Sequence, residues 1–172
     1  IMLIDFDRLH KIKKQSPKPG DIFAIELSIR AVHPYKSDKI NFTNPKNNFA
    51  FGRIINIDHV KDVIIEIFNY FGEFLFDVEK IISSGRMFDP INVTGLCFSE
   101  GRWKIISSTP SFDKNLVGFK EIKLVMGIPP NIKLWKGGQI FTISESDSKG
   151  IERYVSYFPI DIETRINQLK QK

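Results

Sequence analysis

Runs of apolar residues, separated by turn-forming residues, recur along most of this chain and predict β-strands. The three longest runs are 21–27, 49–57 and 63–71, and the last of them is apolar almost throughout. Such a run is typical of a strand in the centre of a sheet, where both faces are covered. Shorter strands are predicted at 96–98, 102–106, 119–125, 131–136, 139–143 and 153–158.

Helical spacing of apolar residues is found mainly at the two ends of the chain. An amphipathic helix is predicted within 2–15. Pro17 and Pro19, which follow it, are expected to end the helix. A second helix is predicted over 161–170, with Asp161 as its N-cap. Residues 77–84 also suit a short helix, since Asp77 can cap its start and Gly85 its end.

Many short strands with few helices indicate a mainly β, β-rich α+β fold. We expect an SH3-like barrel or an antiparallel sandwich with short N- and C-terminal helices. A length of 172 residues favours a single domain that spans residues 1–172.

The charge is basic overall but unevenly distributed. The chain has 25 Lys and Arg against 20 Asp and Glu, a net charge of +5. Residues 21–159 hold 17 of these bases and 16 of the acids, so the excess lies at the ends. Nucleic-acid binding needs several bases on one face, so this distribution argues against it. No apolar run reaches the roughly 20 residues of a membrane span. A cytoplasmic location is therefore expected, without membrane contact.

The residue types used in catalysis and metal binding are scattered. His10, His33 and His59 lie in separate segments, and the single cysteine, Cys97, lies in an apolar run that suits a buried core position. Glycine-rich phosphate motifs and serine hydrolase motifs are absent from the sequence. We therefore predict no catalytic residue, no metal site and no cofactor. A small-molecule hydrolase would need titratable groups that converge in a pocket.

A protein partner is the remaining expectation. Residues 28–48 are polar and rich in turn formers, and so long a connection is usually functional. Tyr35 and Phe42 within it, and Trp135 further along, are aromatic residues in polar surroundings, which is typical of interface anchors. Arg53 is expected to pair with an acid such as Asp21, or to contact the partner.

Three segments in order resemble a known family. They are Lys18-Pro19-Gly20-Asp21-Ile22-Phe23-Ala24-Ile25, Phe49-Ala50-Phe51-Gly52-Arg53-Ile54 and Gly101-Arg102-Trp103-Lys104-Ile105-Ile106. With Ile65-Glu66-Ile67-Phe68-Asn69-Tyr70 between the last two, they resemble the immunity protein 26 family of bacterial polymorphic toxin systems over roughly residues 18–110. Two features depart from the family pattern: Glu26 replaces a proline, and the long connection 28–48 replaces a short hairpin.

The resemblance implies a non-enzymatic immunity protein that binds a cognate toxin domain and neutralises it. It supplies no catalytic residues. The entry strand also resembles that of SH3-like barrels, and the alternative hypothesis is therefore a nucleic-acid-binding module or ribonuclease of that class.

Overall fold

A computed structural model describes residues 2, 3, 5–27, 33–36, 49–73 and 75–172. Its strands are β1 (Met2–Leu3), β2 (Asp21–Glu26), β3 (Phe49–Ile57), β4 (Val63–Gly72), β5 (Leu75–Phe76), β6 (Ile91–Val93), β7 (Lys104–Ser108), β8 (Lys123–Met126), β9 (Lys133–Lys136) and β10 (Gln139–Thr142). Its helices are α1 (Phe6–Lys11), α2 (Val78–Ser83), α3 (Leu96–Ser99), α4 (Glu145–Ser148) and α5 (Pro159–Lys170).

Antiparallel pairing organises these strands into sheets. The largest sheet has five strands in the order β6-β4-β3-β2-β7, a second has the order β10-β9-β8, and β1 pairs with β5. Within the described residues neither of the larger sheets closes into a barrel. The β-rich α+β prediction is confirmed, and the form that it takes is an open one.

One face of the five-stranded sheet carries the largest core. Alternate residues of its central strands, such as Phe23, Ile54 and Ile65, are fully buried there. Ile162 and Ile166 of α5 and Phe98 of α3 pack in the same cluster. Because successive residues of a strand point to opposite faces, this alternation assigns α5 and α3 to one side of the sheet.

The opposite face is covered in two places. Phe51 and Phe68 pack there with Ile81 of α2. Further along the same strands, Ile55 and Ile64 pack against Leu124 and Trp135 of the three-stranded sheet. The five-stranded sheet is thus buried on both faces, as the near-continuous apolar run of β4 predicts.

The segments that carry the family resemblance meet in the core. Gly52 lies opposite Phe23 in the β2–β3 pair, and a Cβ atom at Gly52 would lie 2.4 Å from the Phe23 ring. Trp103 stacks on that ring with 5.5 Å between centroids. A glycine at position 52 is therefore required by close approach of an aromatic ring.

The three predicted helices are present with shifted boundaries, but residues 2–3 of the first one form strand β1 and its helix, α1, spans only Phe6–Lys11. Asp77 caps α2 by accepting hydrogen bonds from the Glu79 and Lys80 N–H groups, and Gly85 follows with a φ of 76°. The C-terminal helix begins at Pro159 rather than after Asp161. The Asp161 carboxylate lies inside the first turn and accepts a hydrogen bond from the Phe158 N–H group.

Three strand predictions are wrong, one of them entirely. Residues 96–98 form α3 instead of a strand, and 119–121 form a 3₁₀ turn ahead of β8. Residues 153–158 make only isolated bridges, Val125–Arg153 and Val93–Tyr157. Short apolar runs suit buried helical turns and strands equally, so periodicity alone does not distinguish them.

Candidate partner-binding site

The structure describes three of the four residues predicted to contact a partner, and their exposures differ. Tyr35 is half-buried at the surface, whereas Trp135 and Arg53 are only 9% and 6% exposed. Phe42 lies outside the described residues. Of the long connection 28–48, the structure describes 33–36.

Trp135 is part of a core. Its ring makes edge contacts with Phe119 and Tyr154, at centroid distances of 5.8 and 5.6 Å. The sequence neighbours of Trp135, Leu134 and Lys136, point to the opposite face of β9 and are only partly buried, so polar company in the sequence does not place the Trp135 ring at the surface. We leave Trp135 out of the surface proposed below.

Arg53 pairs with Glu66 rather than with Asp21. The two residues are cross-strand neighbours in β3 and β4, and Arg53 Nε donates to Glu66 Oε2 at 3.0 Å. The guanidinium also lies over the rings of Phe68 and Phe112. Asp21 instead accepts a hydrogen bond from the Lys18 N–H group. Arg53 offers little surface to a partner, and it too is left out of the proposed surface.

The segment 33–36 is held in place by Arg102. Arg102 Nη1 donates to the His33 carbonyl at 2.9 Å, and the Arg102 N–H group donates to the Tyr35 carbonyl at 3.1 Å. Within the segment, His33 Nδ1 accepts hydrogen bonds from the Tyr35 and Lys36 N–H groups. These bonds give Tyr35 a fixed backbone position.

Arg102 is in turn oriented by a buried carboxylate on α5. Glu163 accepts two hydrogen bonds from the Arg102 guanidinium, at 2.7 and 2.8 Å, and a third from Trp103 Nε1 at 3.0 Å. The side chains of Arg102 and Glu163 are 3% and 6% exposed. A bidentate pair of this kind has a defined geometry. The C-terminal helix therefore determines where Tyr35 lies.

Aromatic and charged groups surround Tyr35 at the surface. Its ring lies 6.0 Å from that of Phe158, which is 49% exposed, and Ile160 in the next turn is 52% exposed. Glu100 pairs with Lys14 at 2.7 Å and with Lys36 at 4.0 Å. The arrangement has the aromatic centre and polar rim that are typical of protein interfaces.

The segment before β2 is tied across the same region. Gln15 Nε2 donates to the carbonyls of Phe98 and Trp103, and Gln15 Oε1 accepts from the Ile105 N–H group. Lys104 Nζ donates to the Ile12 carbonyl. Burial, together with the nearby positive charge of Lys13, lowers the pKa of Lys104 from 10.5 to about 8.

This depressed pKa predicts how stability changes with pH. Between about pH 8 and 10.5 the unfolded chain retains a proton that the folded chain has released, so raising the pH stabilises the folded state. Below that window both states are protonated and the cost of burying the ammonium group is fully present. Lys104→Met lacks this titration, so its unfolding free energy minus that of wild type is expected to fall as the pH rises through the window. Urea denaturation at several pH values measures it; a constant difference contradicts the prediction, and Lys149→Met is the exposed control.

Sequence reasoning missed Glu163 and Phe158. The available signal was the apolar stripe of α5, because Glu163 follows Ile162 on the buried side of the helix. A carboxylate on a buried face needs a cationic partner. That partner cannot be named from the pattern, since Arg102 lies 61 residues away in the chain.

In the part of the chain that the structure describes, no three acidic, histidine or cysteine side chains are grouped to hold a metal ion. Cys97 is fully buried as predicted, and burial, together with the negative charge of Glu163, holds the pKa of its thiol well above the usual range. Among the described helices, none has the length and apolar character of a membrane span.

Comparison with known proteins yields one family. No curated protein and no solved structure gives a significant match. The family model for Immunity protein 26 matches residues 18–127, well over half of the chain. The match begins where the sequence resemblance begins and extends it through β8. By this match, the chain belongs to the Immunity protein 26 family.

Proposed function

We propose that this protein binds the toxin domain of a bacterial polymorphic toxin system and neutralises it in the cytoplasm by occlusion, without catalysis of its own. The observation that carries the proposal is the match of residues 18–127 to Immunity protein 26. Occlusion needs a rigid surface of about 800 Å² per partner.

The surface around Tyr35 suits this role best. Arg102 fixes the backbone of 33–36 before a partner arrives, which lowers the conformational entropy lost on binding. Tyr35 and Phe158 supply aromatic area, while Lys36 and Lys14 provide exposed charge at the rim. We call these four residues and Ile160 the Tyr35 surface.

Co-expression with the toxin domain encoded by the neighbouring gene tests the function. Growth rescue and a co-purified complex are expected. If neither is seen, the proposal fails. Retention of the protein on heparin that weakens steeply with salt would instead favour the nucleic-acid alternative.

Tyr35→Ala tests the surface. Aromatic anchors at the centre of an interface contribute roughly 2 kcal/mol, so Kd for the inactivated toxin domain is expected to rise about thirtyfold. Phe141→Ala is the matched control, because Phe141 is 45% exposed on β10, in the other large sheet. Calorimetric titration measures both. Equal affinities for Tyr35→Ala and wild type would remove Tyr35 from the interface.

A further inference from the structure

An open groove of about 640 Å³ lies beside the Tyr35 surface. Three segments form its walls: 15–17 ahead of β2, 57–62 at the β3–β4 turn, and 94–99 around α3. Its volume falls within the range of roughly 300–1,000 Å³ that is usual for binding pockets.

Apolar side chains line the groove and its mouth. Pro17 and Ile57 line it, and so do Val60 and Leu96, which are 64% and 40% exposed. Apolar surface that gathers in a concavity and has a polar rim marks an interaction site more often than scattered exposed residues do.

All three walls are fixed by hydrogen bonds or close packing. The Asp58 carboxylate accepts hydrogen bonds from the Val60 and Asp62 N–H groups, each at 2.9 Å, which closes the turn. A Cβ atom at Gly95 would lie 2.2 Å from the Lys61 carbonyl oxygen, so the turn rests directly on the third wall. The Gln15 side chain holds the first wall. The groove is therefore present before any partner binds.

The rim of the groove is basic. Lys13, Lys18 and Lys61 are exposed on or next to its walls. The acidic residues there are engaged within the protein: Asp58 closes the turn, and Asp62 accepts from the Asn92 amide and the Ser156 hydroxyl. His59 beside Val60 is also exposed. Asp58 and Asp62 keep their charge, but the three lysines outnumber them, so the mouth carries an excess of positive charge that favours a partner with negative charge.

The groove and the Tyr35 surface are neighbours. Ser99 lines the groove, and the next residue, Glu100, pairs with Lys36 beside Tyr35 and with Lys14 beside the first wall. One partner can therefore contact both.

We infer that the groove receives an apolar side chain from an acidic segment of the toxin domain. This inference rests on the proposed function and adds the chemistry of the segment that the toxin presents. The apolar side chain is buried between Val60 and Leu96, while flanking carboxylates face Lys61 and the lysines on either side of the first wall, Lys13 and Lys18.

Affinity measurements with the inactivated toxin domain test the inference. Lys61→Glu and Val60→Gln are each expected to raise Kd about tenfold, the former with a marked loss of association rate. The controls are Lys149→Glu and Ile140→Gln, which change exposed residues outside the groove and are expected to bind like wild type. If both groove variants bind as tightly as wild type, the inference about the groove is overturned while the proposed function stands. Failure of wild type itself to bind overturns both.

A photo-crosslinker in place of Val60 identifies the occupant independently of affinity. The expected product joins Val60 to a toxin peptide that carries an apolar residue and a net negative charge. A basic peptide, or cross-linked RNA in place of the toxin, overturns the inference. The same crosslinker at Ile140 is the control and is expected to give no toxin adduct.

Discussion

Glu163→Gln is expected to lower the free energy of unfolding by about 3–5 kcal/mol, because it leaves the Arg102 guanidinium buried without its counter-charge. The amide keeps one acceptor oxygen but brings an N–H₂ group towards the other donors that now bind the carboxylate. For a chain of this length each kcal/mol lowers Tm by about 2–4 °C. Urea and thermal denaturation measure the loss.

The matched control is Glu152→Gln. Glu152 also pairs with an arginine, Arg165, but both side chains are partly exposed, at 21% and 27%. Exposed pairs contribute about 0–1 kcal/mol, so this variant is expected to unfold close to wild type. Equal losses for the two glutamine variants would contradict a special role for the buried pair.

A double variant separates stability from positioning. Arg102→Met with Glu163→Leu removes both buried charges, and an apolar pair in place of a buried ion pair is often neutral. We expect it to recover part of the stability that Glu163→Gln loses. It also removes the hydrogen bond from the Arg102 guanidinium to the His33 carbonyl. Affinity of the double variant for the toxin domain is therefore expected to be lower than that of wild type. Affinity equal to that of wild type would show that the Arg102 side chain does not position Tyr35.

Glu66→Gln is the second substitution with a large expected effect, again about 3–5 kcal/mol. Glu66 is 4% exposed and bonds to two arginines, with Arg53 on one carboxylate oxygen and Arg86 on the other, each at 3.0 Å. Neutralising it leaves the buried Arg53 guanidinium among aromatic rings without a carboxylate. Denaturation by urea measures the change.

Arg86→Gln provides the comparison. Arg86 is 32% exposed and also donates to the Val117 carbonyl, and its loss leaves the Arg53–Glu66 pair intact. Its cost is expected to be about 1 kcal/mol, the scale of an ordinary hydrogen bond. A larger loss for Arg86→Gln than for Glu66→Gln would indicate that the exposed side of this cluster carries its stability.

The motifs of the family resemblance contribute mainly to the fold. Phe23, Gly52 and Trp103 pack on one another in the core. Arg53 is held by Glu66, and Arg102 by Glu163. This explains why the motifs identify the family but do not identify the toxin that the protein binds. The groove and the Tyr35 surface consist largely of residues outside those motifs.

The sequence by itself determined the long strands β2, β3 and β4, helix α2 with its cap, and the family, because alternation of apolar residues, turn chemistry and a capping carboxylate act over a few neighbouring residues. It predicted Tyr35, Phe42 and Trp135 as aromatic interface anchors, and Arg53 either as the partner of an acid such as Asp21 or as a contact residue. Only the tertiary structure decided that Trp135 points into a second core, that Arg53 belongs to Glu66, and that Glu163 holds Arg102 beneath Tyr35. Those outcomes depend on which strands and helices become neighbours, and the Arg102–Glu163 pair joins residues 61 positions apart. Local pattern carries no information about such a pairing.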